Sequence, residues 1–453
     1  MHAYTEDDDR IARAVVEYCL DRLSQPVPLD RTLTPAELQA AAGATVTPDG
    51  IGREEALRLW ADVIGPACLS VDHKRYLSFI PNAPTKASCY FDMLVAASNV
   101  YSGSWLEGSG AVYAENQALR WIADLAGLPG SAGGTFVQGG TVGNLSALVA
   151  AREWALERRG GKRPDRWSVV ITGETHSSVK HSVQTVMDAD VIEVPGDERG
   201  RMTGAALRTM LADLPGSVRD GIFAVVATAG TTNLGVVDDL AGIADVAAEQ
   251  RWWFHVDGAY GAAALAAPSA RHLFAGIERA DSLIVDPHKW LFAPFDACAL
   301  LYRDPARGRA AHTQYASYLD VVTTDGEWNP SDFAVQLTRR ARGLPFWFSL
   351  AVHGTDAYVD AVETTLRVAR DGRELIDAAP HLRLLVEPDL SVLIFERVDW
   401  TPEDYAAWSA RLLDEQVAFV TPTRHNGRTC TRFAIVNPLT TRDDLALIID
   451  SMR

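Results

Sequence analysis

From residue 86 onward, short apolar runs rich in β-branched residues alternate with longer segments whose apolar positions recur at helical spacing. The runs are 167–171, 191–194, 222–228, 252–256, 282–285 and 297–302; the helical patterns between them are 142–158, 204–214 and 240–250. Strands that are apolar on both faces and separated by helix-length connections predict a mainly parallel sheet sandwiched by helices, an α/β domain. In such sheets ligands bind beyond the carboxyl ends of the strands. Ahead of this region, 7–23 and 53–69 read as helices around a proline-punctuated link, 26–35, with Leu57, Trp60 and Ile64 on one face. Behind it comes a polar stretch, 314–332, longer than an ordinary connection. A long helix then covers 344–368, followed by strands 383–386, 391–396 and 432–436, a helix 402–416 and a last helix. The expected organisation is an N-terminal helical extension (1–85), a large domain (86–345) and a small C-terminal α+β domain (346–453).

Composition narrows the function classes. The chain has 453 residues, 47% hydrophobic and 22% charged, which excludes a disordered tail, a collagen-like fibre or a coiled-coil rod. A formal net charge of −17 argues against nucleic acid as a partner. The five cysteines are odd in number and form no C-x-x-C pair, so neither a disulfide framework nor a zinc site is expected. The acidic opening (Glu6, Asp7, Asp8, Asp9) is unlike a signal peptide, and no apolar run approaches the ~20 residues of a membrane span. A cytoplasmic location is the expectation. Of forty-two basic residues only five are lysine, which makes each lysine worth inspecting.

No G-x-x-x-x-G-K-[ST], H-E-x-x-H or G-x-S-x-G is present, so phosphate-loop, zinc-protease and hydrolase-elbow readings lack their residues. Four elements carry chemistry instead. Residues 136–144 (FVQGGTVGN) form a short strand, a glycine turn and a helix start; exposed backbone N–H groups at such a helix start can cradle a phosphate. Taken alone, such a turn is more often a mere threonine cap. The strand ending in Asp257 is followed by Gly258, Ala259, Gly261 and Ala262, so a carboxylate faces the crevice where something flat can approach; a helix cap is the plainer alternative. The strand 282–285 leads into Asp286, Pro287, His288, Lys289 and Trp290. Lysine, unlike arginine, can lose its proton and form an imine, although a surface lysine lying over Trp290 is the ordinary reading of the pair. His176 follows the strand 169–172 and can stack on a flat ligand, where an isolated loop histidine is normally solvated.

Together and in this order, the four elements resemble the pyridoxal-phosphate-dependent group II amino-acid decarboxylases, the family of aromatic-L-amino-acid decarboxylase. The resemblance implies fold type I (aspartate aminotransferase-like), pyridoxal 5'-phosphate as cofactor, and a homodimer with its active site at the subunit interface. It makes Lys289 the imine-forming lysine, with Asp286 and His288 beside it. Asp257 becomes the partner of the pyridine nitrogen, Ala259 a contact of the ring, and Gly140 and Thr141 the phosphate turn. His176 takes the role of stacking residue, and Thr228, in Val226-Ala227-Thr228, lies near cofactor and substrate. Phe79, Ile80, Pro81, Asn82, Tyr101, Gly103 and Trp105 match positions lining the substrate side chain. Three positions depart from the family pattern: Val142 replaces an acidic residue, Gly108-Ser109 replaces Ser-Pro, and Gly103 stands where aromatic decarboxylases carry a bulky ring.

The implied reaction is decarboxylation of an L-amino acid, with an apolar and aromatic wall favouring an aromatic one, to its amine and carbon dioxide. An oxidative aldehyde synthase, another fold-type-I enzyme and a silent scaffold of the same fold are the alternatives. Tyr318, within Ser317-Tyr318-Leu319, matches the acid carried on the family's catalytic loop, which reaches the neighbouring subunit; phenylalanine there marks the aldehyde-forming relatives. Tyr318→Phe should therefore divert product from amine toward aldehyde and peroxide, and an unchanged amine yield in a product assay would remove that role from Tyr318.

Overall fold

The structure is a computed structural model that describes residues 2–315 and 327–453; Tyr318 and its loop neighbours lie outside the described residues. Seven strands form the main sheet: β1 (Gly133–Val137), β2 (Ser168–Thr172), β3 (Asp190–Val194), β4 (Ile222–Thr228), β5 (Trp253–Asp257), β6 (Ser282–Val285) and β7 (Cys298–Tyr302). Their order is β1-β7-β6-β5-β4-β2-β3. β7 runs antiparallel to both neighbours, and all other pairings are parallel. Two antiparallel pairings through β7 leave β1 pointing the same way as β6, so the carboxyl ends of β1, β2, β4, β5 and β6 share one edge. The register brings Thr228 opposite Asp257 and Asp257 opposite Ile284, which places the residues following β4, β5 and β6 side by side.

β2, β4, β5, β6 and β7 are buried along their whole length. Helices explain why. The Gly140–Arg158 helix covers one face, where Ala147, Leu148 and Ala151 meet Val169, Phe223 and Leu300. The Trp105–Leu125 and Leu240–Gln250 helices cover the other, with Ile122, Ile243 and Val246 against Val225, Phe254 and Leu283. Behind this domain, β8 (Leu382–Leu384), β9 (Val392–Arg397), β10 (Pro422–His425) and β11 (Arg428–Ala434) make an antiparallel sheet in the order β10-β11-β9-β8.

Two local expectations need correction. The single helix over 344–368 is two, Leu344–His353 and Thr355–Ala378, parted at Gly354, whose φ of 75° lies in the left-handed region. Residues 53–69 stay α-helical only over Arg53–Leu59, then loosen through a π turn and tighten through a 3-10 turn before ending at Ala67. Gly108 lies inside the Trp105–Leu125 helix, with non-helical φ and ψ of −142° and 35°. The hairpin β10–β11 was not anticipated, although its turn residues, Asn426 and Gly427, both have positive φ, the signature of a tight hairpin turn.

The N-terminal region is tied to the far end of the chain. Leu77 N–H donates to Phe419 O, Phe419 N–H to Arg75 O and Ala434 N–H to Leu77 O. A buried ion pair holds another return segment: Arg339 donates to both carboxylate oxygens of Glu115 at 2.7 and 2.8 Å, and Gly343 N–H donates to Glu115 Oε1 at 2.8 Å. Both side chains are buried, so removing one leaves an uncompensated charge in the interior. Glu115→Ala should cost about 3–5 kcal/mol of stability, and the double variant Glu115→Met/Arg339→Met distinctly less; denaturant titration of the two proteins checks this order.

Candidate active site

A cavity of about 290 Å³ opens at the carboxyl edge of the main sheet. The nine residues expected to hold a cofactor all line it: Gly140 and Thr141 after β1, His176 after β2, Thr228 at the end of β4, Asp257 and Ala259 at the end of β5, and Asp286, His288 and Lys289 after β6. They arrive from five strand ends, which is why residues as far apart in sequence as Gly140 and Lys289 meet here.

Lys289 is the cation at the centre of the site. Its Nζ lies 2.8 Å from Asp286 Oδ2, and its side chain is 23% exposed against 1% for Asp286. Burial alone would lower the lysine pKa, but Asp286 outweighs it and holds the ammonium form above its ordinary range. Burial would likewise raise Asp286; the charges of Lys289 and His288 hold it below the usual carboxylate range. His288 Nε2 is 3.7 Å from the same oxygen, and burial lowers the pKa of its ring. Trp290 is fully buried, stacked on Tyr260 with ring centroids 5.2 Å apart, and donates its indole N–H to Thr365 Oγ1. A surface lysine lying over an exposed tryptophan is therefore not what the motif forms. The tryptophan anchors the turn, and the turn aims Lys289 at the cavity.

Asp257 accepts from Asn144 Nδ2 at 2.9 Å through one oxygen and from the Ala259 N–H at 3.1 Å through the other. It thus caps the following turn and faces the cavity at once. His176 is exposed; its Nδ1 is 2.8 Å from Ser178 Oγ and accepts from the Ser178 N–H, which orients the ring at the start of the Ser177–His181 helix. No side chain caps the Gly140–Arg158 helix, and its first residues, Gly140 and Thr141, line the cavity, where the positive end of a helix favours an anion. A Cβ at Gly140 would stand 3.3 Å from both Ala259 Cβ and Asp286 Oδ2. Gly230, with φ 103°, has no room for a side chain either: a Cβ would stand 2.7 Å from Gly261 Cα.

The cavity also includes Gln138, Gly139, Asn144, Ser178, Gly230, Thr232, Tyr260 and Asp296, which sequence reasoning did not select. Asn144 follows Thr141 by one helical turn, a spacing that could have pointed to it. Asp296 is ion-paired to Arg342 and carries no sequence signal. The seven residues expected to line the substrate side chain do not line the cavity of the single chain. Phe79 is 59% exposed, with φ 55°; Ile80 packs on the main core, while Pro81 and Asn82 are buried. Tyr101 lies over Gly103, its hydroxyl 2.1 Å from where a Cβ would stand. The space that a bulky ring at 103 would take is thus filled by Tyr101. Trp105 begins the Trp105–Leu125 helix, its N–H donating to Asn329 Oδ1.

A sheet of this order, with lysine, two carboxylates and a histidine at its carboxyl edge, defines a fold-type-I pyridoxal-phosphate enzyme. The model of the pyridoxal-dependent decarboxylase conserved domain matches residues 53–398, and the chain belongs to that family. It is 27% identical to the aromatic-L-amino-acid decarboxylase of Bacillus atrophaeus over 98% of this chain and 94% of that protein. With the L-2,4-diaminobutyrate decarboxylase of Rhizobium meliloti (strain 1021) it shares 33% identity, over 80% of this chain and 73% of that one. The crystal structure of Oryza sativa TDC with PLP and tryptamine superposes with a TM-score of 0.90 at 25% identity, covering 100% of this chain and 99% of that one. The protein is a pyridoxal-phosphate-dependent amino-acid decarboxylase.

The residues present fit the cofactor. Three buried polar atoms of cavity-lining residues, Gln138 Oε1, Thr228 Oγ1 and Asp286 Oδ1, have no hydrogen-bond partner among the described residues, and buried polar groups are normally satisfied. The Asp286–Lys289 pair adds stability above the ordinary carboxylate range and below the ordinary ammonium range. That contribution is lost as pH falls through the lowered Asp286 pKa or rises through the raised Lys289 pKa. Asp286→Asn should shift the pH midpoint for acylation of Lys289 in the cofactor-free protein downward by about one unit or more, measured by mass spectrometry of the labelled peptide.

Proposed function

We propose that the chain decarboxylates an aromatic L-amino acid to the corresponding amine. The observation that carries this reading is the convergence of Lys289, Asp257 and His176 on one cavity whose edge also presents an uncapped helix start. Gly140 and Thr141 would hold the cofactor phosphate, Asp257 its ring nitrogen, His176 and Ala259 its ring, and Lys289 its covalent link. When bound, pyridoxal phosphate supplies an electron sink for the pair left on Cα as carbon dioxide departs. The chain's own part is to hold a proton at the ring nitrogen through Asp257, to orient the scissile bond, and to return a proton to Cα from Tyr318. Tyrosine rather than phenylalanine at 318 favours the amine over the aldehyde product.

The aromatic preference rests on the likeness to the aromatic-L-amino-acid decarboxylase and on the apolar character of Phe79, Ile80, Tyr101 and Trp105. These residues complete the pocket only if a second chain brings them to it, and a homodimer is part of the reading. Exposed apolar side chains support it: Val15, Val16 and Leu20 on the Glu6–Ser24 helix, Tyr90 and Leu94 on Lys86–Ser98, and Tyr113. Phe79 holds a left-handed backbone while exposed, a strained state for a bulky residue that marks functional positions. An amino-acid panel assayed for carbon dioxide and amine should show release from tryptophan, tyrosine or phenylalanine, and none from Lys289→Ala, which should also lose borohydride-trapped cofactor. Release from 2,4-diaminobutyrate or glutamate alone would overturn the aromatic assignment.

A further inference from the structure

Behind Asp257 runs a line of buried polar side chains. Trp253, His255 and Asp257 alternate along β5, so they share one face of the strand. Asn144 reaches them from the Gly140–Arg158 helix and Ser282 from β6. All five are buried. The contacts are Trp253 Nε1 to Ser282 Oγ at 2.7 Å, Ser282 Oγ to His255 Nδ1 at 2.8 Å, His255 Nε2 to Asn144 Oδ1 at 2.7 Å, and Asn144 Nδ2 to Asp257 Oδ2 at 2.9 Å.

The direction of the bonds is set from the carboxylate end. An indole N–H only donates, so Ser282 Oγ accepts from Trp253 and keeps its own hydrogen free to turn toward His255 Nδ1. From the other end, a carboxylate only accepts, so Asn144 must present its N–H₂ to Asp257 and its oxygen to His255. A neutral ring therefore carries its proton on Nε2, donated to Asn144 Oδ1, and accepts at Nδ1 from the Ser282 hydroxyl. Burial pulls the His255 pKa down to about 4, against the opposing charge of Asp257, in keeping with the neutral ring this pattern requires.

We infer that Asn144 and His255 are positioning residues for Asp257: a one-way hydrogen-bond chain from Trp253 through Ser282, His255 and Asn144 fixes the carboxylate's rotation and selects its acceptor form. Lone pairs left free on this cavity-lining carboxylate would serve the ring nitrogen of the cofactor. The inference rests on the reading of Asp257 as the partner of that nitrogen. A purely structural polar cluster would need only to be satisfied, in either direction. A positioning chain needs its direction.

The test uses the holoenzyme. Asn144→Leu and His255→Leu should each lower kcat about 10- to 100-fold, the loss expected when a hydrogen bond to a charged group is removed, with KM nearly unchanged. They should also raise the dissociation constant of pyridoxal phosphate and shift the visible absorption band of the bound cofactor. His255→Gln, which keeps an N–H donor toward Asn144, should restore kcat, affinity and spectrum to within about threefold, since the charged-group hydrogen bond is retained. Equal behaviour of His255→Gln and His255→Leu would overturn the inference. If the leucine variants do not fold, Ser282→Ala and His255→Gln decide it. Ser282→Ala frees the tautomer and should lower kcat and shift the band more than His255→Gln does, and equal effects overturn it. Asp257→Asn separates the two levels. Wild-type activity and spectrum in that variant would sink the reading of Asp257 itself. An inactive Asp257→Asn beside wild-type-like Asn144→Leu and His255→Leu would sink only the positioning chain.

Discussion

Two carboxylates, Asp257 and Asp286, stand 4% and 1% exposed at the ends of adjacent strands. Taking such groups out of water costs several kcal/mol each unless partners compensate. The site can be described as the set of those partners. Asp257 receives two N–H groups, and Asp286 receives the Lys289 ammonium with His288 close by. Parallel neighbours in one sheet put their carboxyl ends together, so the topology alone forces the acidic pair, the lysine and the uncapped helix start into a common edge. Remove the partners and the sheet could not end in acids at that point.

Five strands of the main sheet, β2 and β4 to β7, were legible because they are buried along their whole length, which leaves a largely apolar run in the sequence. The segments 222–228 and 282–285 coincide with β4 and β6. Where apolar periodicity continues through a break, pattern misleads: the helical stripe runs across Gly354, and only the glycine marks the turn. The nine residues expected to hold the cofactor were legible through motif order, since each ends or follows a strand. Asn144 and His255 were not. His255 stands in the middle of an apolar strand and its partner lies 111 positions earlier, a pairing that no local pattern encodes. The seven residues expected to line the substrate side chain were readable as residue types but not as a place: none of them lines the cavity of the single chain.

The stack of Tyr260 on Trp290 joins the two motifs of the site to the C-terminal part of the chain. Tyr260 shares a 2.6 Å hydrogen bond with Ser391, and Trp290 bonds Thr365 on the Thr355–Ala378 helix. The turns that carry Asp257 and Lys289 are therefore braced from behind by residues that follow them in sequence by about a hundred positions. Ordered turns of this kind keep reacting groups aligned without help from the ligand.

The hydrogen bonds between residues 75–78 and 419–434 have a consequence for how the protein is made. Ser78 Oγ accepts from the Thr421 N–H across 343 positions of chain, and the neighbouring backbone bonds of Arg75 and Leu77 have the same reach. On the ribosome, Leu77 leaves the exit tunnel long before its partners are synthesised. The segment must wait, with Tyr76 and Leu77 uncovered, until translation is nearly complete. Contacts of such long sequence separation slow folding and leave apolar surface open to association meanwhile. Nascent chains ending before residue 419 should thus be the ones that chaperones hold.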